Sequence, residues 1–188
     1  MYDYGYIIVA SWFVLITVWV LGSFTAKPDV GSGQRTVRWL WQLSLLGLLI
    51  FALAQNPHDD AALLERAFFN FGPALGWVGA LLTVIGVALA IWARFKLGRN
   101  WGRLQKEDPV LVTSGPYTYI RHPLYAGAML ALFGSALTGS IVAIVYFIAG
   151  IIYCLHRINQ EEHAMLSLFP GQYPIYKVRT KKVVPFVW

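Results

Sequence analysis

Residues 72–93 read GPALGWVGALLTVIGVALAIWA, a stretch that contains no charged side chain. A helix needs about 20 apolar residues to cross the hydrocarbon core of a membrane. Small residues recur along this stretch at alternating spacings of four and three: Gly72, Gly76, Gly79, Thr83, Gly86 and Ala90. Such a ridge lets two helix backbones approach closely. The stretch therefore predicts a membrane-spanning helix that packs tightly against a neighbour.

The apolar segment at 124–155 carries a matching set of small residues: Gly127, Ala131, Gly134 and Thr138. The segment is too long for a single span, and Thr138-Gly139-Ser140 falls near its middle. We interpret it as two tightly connected helices, each short for a full crossing, that form a helical hairpin.

Two further apolar runs lie at about 6–24 and 37–54. The chain has 188 residues, of which 57% are hydrophobic and 13% are charged, against roughly 25% charged residues in soluble domains. These features predict an all-α integral membrane protein with about five transmembrane helices. We expect a single membrane domain over residues 1–188. It comprises two N-terminal spans and an outer loop (1–72) and a core (73–188) that includes a linker (94–123) and a tail (156–188).

The basic residues predict the orientation, because cytoplasmic loops are enriched in Lys and Arg. With the N-terminus outside, 14 of the 15 Lys and Arg residues lie inside and only Arg66 lies outside. After subtraction of the Asp and Glu residues on each side, the net charge is 14 − 5 = +9 inside and 1 − 4 = −3 outside. We therefore expect an outer N-terminus, and a cytoplasmic C-terminus, linker and tail. Because the charges are spread between apolar segments, a nucleic-acid-binding face is not expected.

Several kinds of chemistry are not supported by the residues present. Cys154 is the only cysteine, which excludes an internal disulfide or a CxxC site. His156 and His163 are seven residues apart and flank Glu161 and Glu162, a spacing that matches neither HExxH nor ExxH metal motifs. The chain also lacks a phosphate-binding GxxxxGK loop and a GxSxG nucleophile motif. We predict no metal site.

The polar residues suited to chemistry form two clusters. The first is LVTSGPYTYIRHPLYAG (111–127), in which Pro123 suits the first position of a helix. His122 then lies at the helix N-terminus, where anionic groups are favoured; an interfacial Arg121 and an ordinary capping His122 are the alternative. The second is HRINQEEHAMLSLFPGQYPIY (156–176), where Arg157 and Glu161 share one helix face. A surface ion pair of small value is the alternative there.

Together the segments LGRNW (97–101), 111–127, RINQEE (157–162) and FPGQYPIY (169–176) resemble the isoprenylcysteine carboxyl methyltransferase family, within a group that includes phospholipid methyltransferases. The resemblance covers roughly the C-terminal half. It implies S-adenosylmethionine as methyl donor, bound at the cytoplasmic end. The residues that it implies for cofactor binding are Pro109, Val110, Leu111, Val112, Tyr117, His122, Pro123, Leu124, Tyr125 and Glu161. Arg157 matches the residue that binds and orients the acceptor carboxylate, and Arg121 is expected to be structural.

Two departures from the family pattern concern the linker. Pro109 stands where relatives commonly have His, so one side-chain contact is lost, and proline has no N–H to donate. The stretch from Trp101 to Tyr117 is also slightly short, which affects the acceptor pocket.

A carboxylate acceptor suits these residues because a carboxylic acid with a pKa of about 4 is already ionised at pH 7 and needs no general base. The expected acceptor is lipidic or prenylated, as a small molecule or a peptide. Methylation of an amine is an alternative that would need a base such as Glu162 or His163, and a thiol acceptor is another. A sterol-reductase-like enzyme that uses NADPH and a non-catalytic membrane scaffold are the remaining alternatives.

Overall fold

The computed structural model describes residues 3–25, 71–98 and 110–185, and every regular element in these ranges is helical. The α-helices are α1 (Asp3–Thr25), α2 (Gly72–Leu97), α3 (Pro123–Ala136), α4 (Ile141–Leu168) and α5 (Tyr173–Arg179). A short 3₁₀ helix covers Gly115–Thr118. The all-helical prediction is confirmed for these residues, whereas the predicted span at 37–54 lies outside the described ranges.

Three of the described helices are long and apolar enough to cross a membrane: Asp3–Gly22, Gly72–Leu97 and Ile141–Leu168. Many of their large apolar side chains are exposed, including Phe13 and Leu81. Exposed apolar side chains on such helices are suited to contact with lipid chains. The helices therefore place their apolar surfaces both between one another and toward the membrane.

The small residues of α2 and α3 form the closest helix contact, as their spacing predicts. A Cβ atom added at Gly86 would lie 2.5 Å from the carbonyl oxygen of Gly127 and from the amide nitrogen of Ala131. Gly127 in turn faces the backbone of Gly86 and Ala90. The two backbones touch because neither helix presents a side chain at these positions, so packing replaces the hydrophobic effect as the source of attraction.

Helix α1 packs on this pair and contributes to a small buried core of Leu15, Val87, Ala90 and Ala131. The indole nitrogen of Trp12 donates a hydrogen bond of 2.9 Å to the hydroxyl of Ser135. The Thr83 hydroxyl donates to the Gly79 carbonyl within α2. These two polar side chains are thus satisfied within the bundle, as an apolar surrounding requires.

The apolar segment at 124–155 divides where the sequence predicts. Helix α3 ends at Ala136, Gly139 adopts a positive φ of 82°, and the Ser140 hydroxyl accepts from the amide of Ala143 at the start of α4. The expectation that both helices are short is correct for α3, since 14 residues rise about 21 Å. It is wrong for α4, which has 28 residues. The polar sequence after residue 155 continues the helix because nothing before Pro170 interrupts it.

The C-terminal segment turns back from α4 and docks beside the start of α3. Ile120 and Lys181 form an isolated parallel bridge. The Arg121 amide donates to the Lys181 carbonyl at 2.8 Å, and the His122 amide donates to the Lys182 carbonyl at 3.1 Å. This pairing brings the two polar clusters of the sequence to the same end of the helices.

Candidate active site

Arg121 joins three parts of the chain at this end. Its Nε donates to Oε1 of Glu162 on α4 at 2.9 Å, and both side chains are about nine-tenths buried. Its Nη1 donates to the main-chain carbonyls of Lys177 and Thr180. A guanidinium carries several donors in a fixed planar arrangement, which suits this bridging role. Arg121 therefore holds the C-terminal segment against α4.

Glu162 is the carboxylate at the centre of this contact. Besides Arg121, it faces the Lys177 ammonium, with Nζ 3.2 Å from Oε2. The Nε2 atom of His122 lies 3.4 Å from Oε1. Glu162 is 8% exposed, so burial of its charge depends on the cations of Arg121 and Lys177.

His122 is buried, with 7% of its surface exposed, at the N-terminus of α3. Its Nδ1 lies 3.9 Å from Oε2 of Glu161. Its Nε2 is shielded from solvent and makes no hydrogen bond within the described residues. A buried polar atom without a hydrogen bond is uncommon in proteins and costs stability. The polar group that this atom faces is the Glu162 carboxylate, with Oε1 3.4 Å away.

Glu161 and Arg157 form a second group next to His122. The Tyr125 hydroxyl donates to Oε1 of Glu161 at 2.5 Å. Nη2 of Arg157 lies 3.5 Å from the same oxygen, and Nη1 donates to the side-chain oxygen of Gln160. The Arg157 side chain is about one-third exposed. The i, i+4 pairing expected from the sequence is therefore present, and Arg157 still has a face open to a further partner.

Tyr117 lies in the 3₁₀ helix and is 7% exposed. Its main-chain carbonyl accepts a hydrogen bond of 2.7 Å from the Tyr176 hydroxyl. Burial raises the pKa of Tyr117 above its usual range and raises the pKa of Tyr176 to about 12. Both phenols are therefore neutral donors at physiological pH.

The structure brings only some of the predicted site residues together. His122, Tyr125, Glu161 and Arg157 form the contacts above, and Pro123 is fully buried as the first residue of α3. Of the other described residues, Tyr117 is buried, Leu111, Val112 and Leu124 are half-buried, and Val110 is exposed. Pro109 and most of the shortened linker lie outside the described residues.

Two contributors to the site, Tyr176 and Lys177, were not assigned from the sequence. Tyr176 donates a hydrogen bond to Tyr117, and Lys177 pairs with Glu162. The spacing of three between Tyr173 and Tyr176, which share the buried face of α5, is the sequence signal that could have indicated Tyr176. Arg94, near the end of α2, is buried and donates to the main-chain carbonyls of Gly22 and Gly98. A basic residue in the last turn of an apolar helix gave no sign of its burial, because interfacial lysines and arginines are common there.

No group of three or more His, Cys, Asp or Glu side chains is arranged to hold a metal ion within the described ranges. The polar groups collected at one end of the helices consist instead of aromatic, carboxylate and cationic side chains. With the long apolar helices, they define a multi-pass integral membrane protein that carries a polar site at the end of its helices.

Comparison with known proteins identifies the family. The sequence profile of the Isoprenylcysteine carboxyl methyltransferase (ICMT) family matches residues 78–167. Protein-S-isoprenylcysteine O-methyltransferase B of Arabidopsis thaliana is 33% identical over 158 residues, which cover 78% of this chain and 80% of that protein. The chain belongs to the isoprenylcysteine carboxyl methyltransferase family, as the sequence motifs predict.

Other relatives match this chain over only part of their own length. Protein-S-isoprenylcysteine O-methyltransferase of Mus musculus is 31% identical over 133 residues, which cover 66% of this chain and 47% of the mouse protein. The chain thus spans about half the length of this relative. The solved structure of a eukaryotic intramembrane Ras methyltransferase ICMT matches with a TM-score of 0.54 and 25% identity, over 93% of this chain and 74% of that one.

Proposed function

We propose that this chain is a membrane methyltransferase that uses S-adenosylmethionine to methylate the carboxylate of an isoprenylcysteine-like or other lipidic acceptor. Family membership supports the reaction class. The observation that carries the assignment to this site is the grouping of His122, Glu161 and Arg157, which come from the two sequence clusters and meet at one end of α3 and α4.

The residues present fit the cofactor. The buried His122 ring lies between two carboxylates, with Nε2 3.4 Å from Glu162 and Nδ1 3.9 Å from Glu161, and the Glu161 side chain is partly exposed. A carboxylate and an imidazole suit the amine, hydroxyl and carboxylate groups of S-adenosylmethionine. Tyr117 and Tyr125 add aromatic surface that attracts a positive charge such as a sulfonium. Cofactor binding by these residues, together with Pro109, Val110, Leu111, Val112, Pro123 and Leu124, stays a proposal.

When bound, S-adenosylmethionine supplies a methyl group attached to a positively charged sulfur. The chain needs no general base for a carboxylate acceptor, because that group is already ionised at neutral pH. Arg157 has the planar two-pronged donor set that binds a carboxylate, and its contact with Glu161 holds it at the edge of the site. Its role is orientation, since a tighter hold on the carboxylate would reduce its nucleophilicity. The buried surroundings of His122 and Tyr117 exclude water.

The contacts favour this reaction over amine methylation. A protonated amine requires a base, and Glu162 already pairs with the cations of Arg121 and Lys177. His163 is exposed. A carboxylate acceptor requires neither Glu162 nor His163 as a base. We further propose that the site faces the cytoplasm and that the N-terminus lies outside, as the distribution of basic residues indicates.

Two measurements on the purified full chain test the proposal. Radiolabelled S-adenosylmethionine should bind, whereas labelled NADPH should not; the opposite result would favour a reductase, and binding of neither would favour a scaffold. Transfer of label should then occur to an S-prenylated cysteine with a free carboxylate and not to its carboxamide. Equal labelling of the carboxamide would exclude the carboxylate as the acceptor atom.

A further inference from the structure

A polar cleft of about 360 Å³ opens beside the candidate active site, between the end of α4 and the C-terminal segment. It is lined by Arg121, Glu162, Lys177, Val178, Thr180, Lys181 and Lys182. Four of these side chains are cationic and one is a carboxylate. The cleft therefore has an excess of positive charge, although the carboxylate of Glu162 engages Arg121 and Lys177.

Main-chain hydrogen bonds place both Lys181 and Lys182 at the cleft, and a side-chain hydrogen bond also holds Lys182. The carbonyls of Lys181 and Lys182 accept from Arg121 and His122, which fixes the course of the chain here. The Lys182 ammonium reaches Asn159 on α4 at 2.8 Å, while the Lys181 side chain is exposed. Ammonium groups that line a cationic cleft suit the oxygens of a phosphate.

An apolar surface adjoins this cleft. On α5, Tyr173 and Tyr176 are buried, whereas Ile175 and Val178 lie on the opposite face and are 56% and 88% exposed. Val178 itself lines the cleft. Exposure of this apolar face to water is unfavourable, and a small soluble anion has no apolar group that could cover Ile175 and Val178. A short helix with apolar residues on one face and basic residues at its end is typical of a segment that lies in the membrane interface.

We infer that this cleft binds the phosphate-bearing headgroup of an anionic phospholipid, with Ile175 and Val178 inserted at the boundary of its acyl chains. The charge of the cleft matches the phosphate, and the adjacent apolar face matches the chains. The leaflet concerned is the one at the C-terminal end of α4. The proposal is independent of the methyl transfer reaction, because lipid binding is measured without cofactor or acceptor.

Native mass spectrometry of the full chain, titrated in detergent with phosphatidylglycerol or phosphatidylcholine, tests the inference. One molecule of phosphatidylglycerol should bind more tightly than phosphatidylcholine. Lys181→Ala should weaken that binding about fivefold, since one basic residue near an anionic lipid contributes about 1 kcal/mol. The exposed side chain of Lys181 leaves the backbone pairing intact, and Lys182→Ala serves as a second variant with the same expected direction.

Arg179→Ala is the matched control, because it removes one positive charge, as Lys181→Ala does. Arg179 is exposed and does not line the cleft. It should weaken binding much less than Lys181→Ala. Equal losses of affinity in Arg179→Ala and Lys181→Ala would indicate a diffuse electrostatic attraction and would overturn the assignment of the lipid to the cleft. Equal affinities for the two lipids would also overturn it. Displacement of phosphatidylglycerol by millimolar inorganic phosphate would assign the cleft to a soluble anion. Tighter binding of an acidic peptide, with the same dependence on Lys181, would assign it to a protein partner.

Discussion

The Tyr176 hydroxyl donates a hydrogen bond of 2.7 Å to the main-chain carbonyl of Tyr117, 59 residues earlier in the chain. Both residues are buried, and the contact joins α5 to the segment that precedes Arg121, His122 and Pro123. The candidate site is therefore joined to a part of the chain that follows the three membrane-spanning helices among the described residues.

Tyr176→Phe should loosen this closure without removing aromatic packing. Loss of one buried hydrogen bond costs about 1 kcal/mol, and the Tyr117 carbonyl is left without its donor. We expect weaker binding of S-adenosylmethionine by a few-fold, measured by equilibrium binding of the labelled cofactor. Tyr119→Phe is the control because Tyr119 is 59% exposed. Equal affinities of the two variants would show that the Tyr176 contact does not support the cofactor site.

His122→Ala and Glu161→Ala should each weaken S-adenosylmethionine binding. A hydrogen bond to a charged group contributes about 1.5–3 kcal/mol, which corresponds to a loss of roughly tenfold or more. His156→Ala provides the comparison, because His156 is exposed on α4 and contacts Gln160. If both test variants keep the affinity of the unmodified chain and remain folded, the cofactor does not bind here.

Arg157 should serve the acceptor more than the cofactor. Arg157→Lys keeps the charge but loses the planar donor set, and Arg157→Ala loses both, so transfer should fall in that order. Because Arg157 lies 3.5 Å from Glu161, cofactor binding and turnover must be measured on the same Arg157→Ala sample.

The outcomes for Arg157 separate three roles. Lower turnover with nearly unchanged cofactor affinity fits acceptor binding. A parallel loss of both places Arg157 in the cofactor wall, and no change in either favours an amine or thiol acceptor. Gln160→Ala removes a side-chain partner of Arg157 outside the proposed cofactor-binding residues and should have a small effect.

Gly86→Ala should destabilise the contact between α2 and α3. The added Cβ would lie 2.5 Å from two backbone atoms of α3, which cannot move as a side chain can. Overpacking of this kind costs about 1–3 kcal/mol, so the thermal unfolding temperature in detergent should fall. Gly171→Ala adds the same atom where nothing lies within 4 Å. If the two variants unfold at the same temperature, the close approach of α2 and α3 is not important for stability.

The orientation is tested by single cysteines in a Cys154→Ala background. Asp3→Cys at the start of α1 should react with a membrane-impermeant thiol reagent in intact cells, whereas Lys181→Cys should react only after permeabilisation. The reason is the excess of basic residues that the proposed topology places inside. Rapid labelling at position 181 in intact cells would reverse the proposed orientation.

Local patterns predict most of the described helices. The apolar runs near 6–24 and 73–93 correspond to α1 and α2, and Thr138-Gly139-Ser140 marks the turn between α3 and α4. The small-residue ridges also predict the α2–α3 contact, because residues three and four apart lie on the same helix face. The apolar pattern predicts too short a helix for α4, because the polar sequence after residue 155 continues the same helix.

By itself, the sequence determined the membrane class, the family and the two polar clusters, because apolar length, residue spacing and short motifs are local properties of the chain. Only the tertiary structure decided which residues meet: Tyr176 with Tyr117, Lys177 and Arg121 with Glu162, and Lys181 with the backbone of Arg121. These contacts join segments about 15 to 60 residues apart, and they depend on how the tail turns back after α4. Spacing along one helix carries no information on that path.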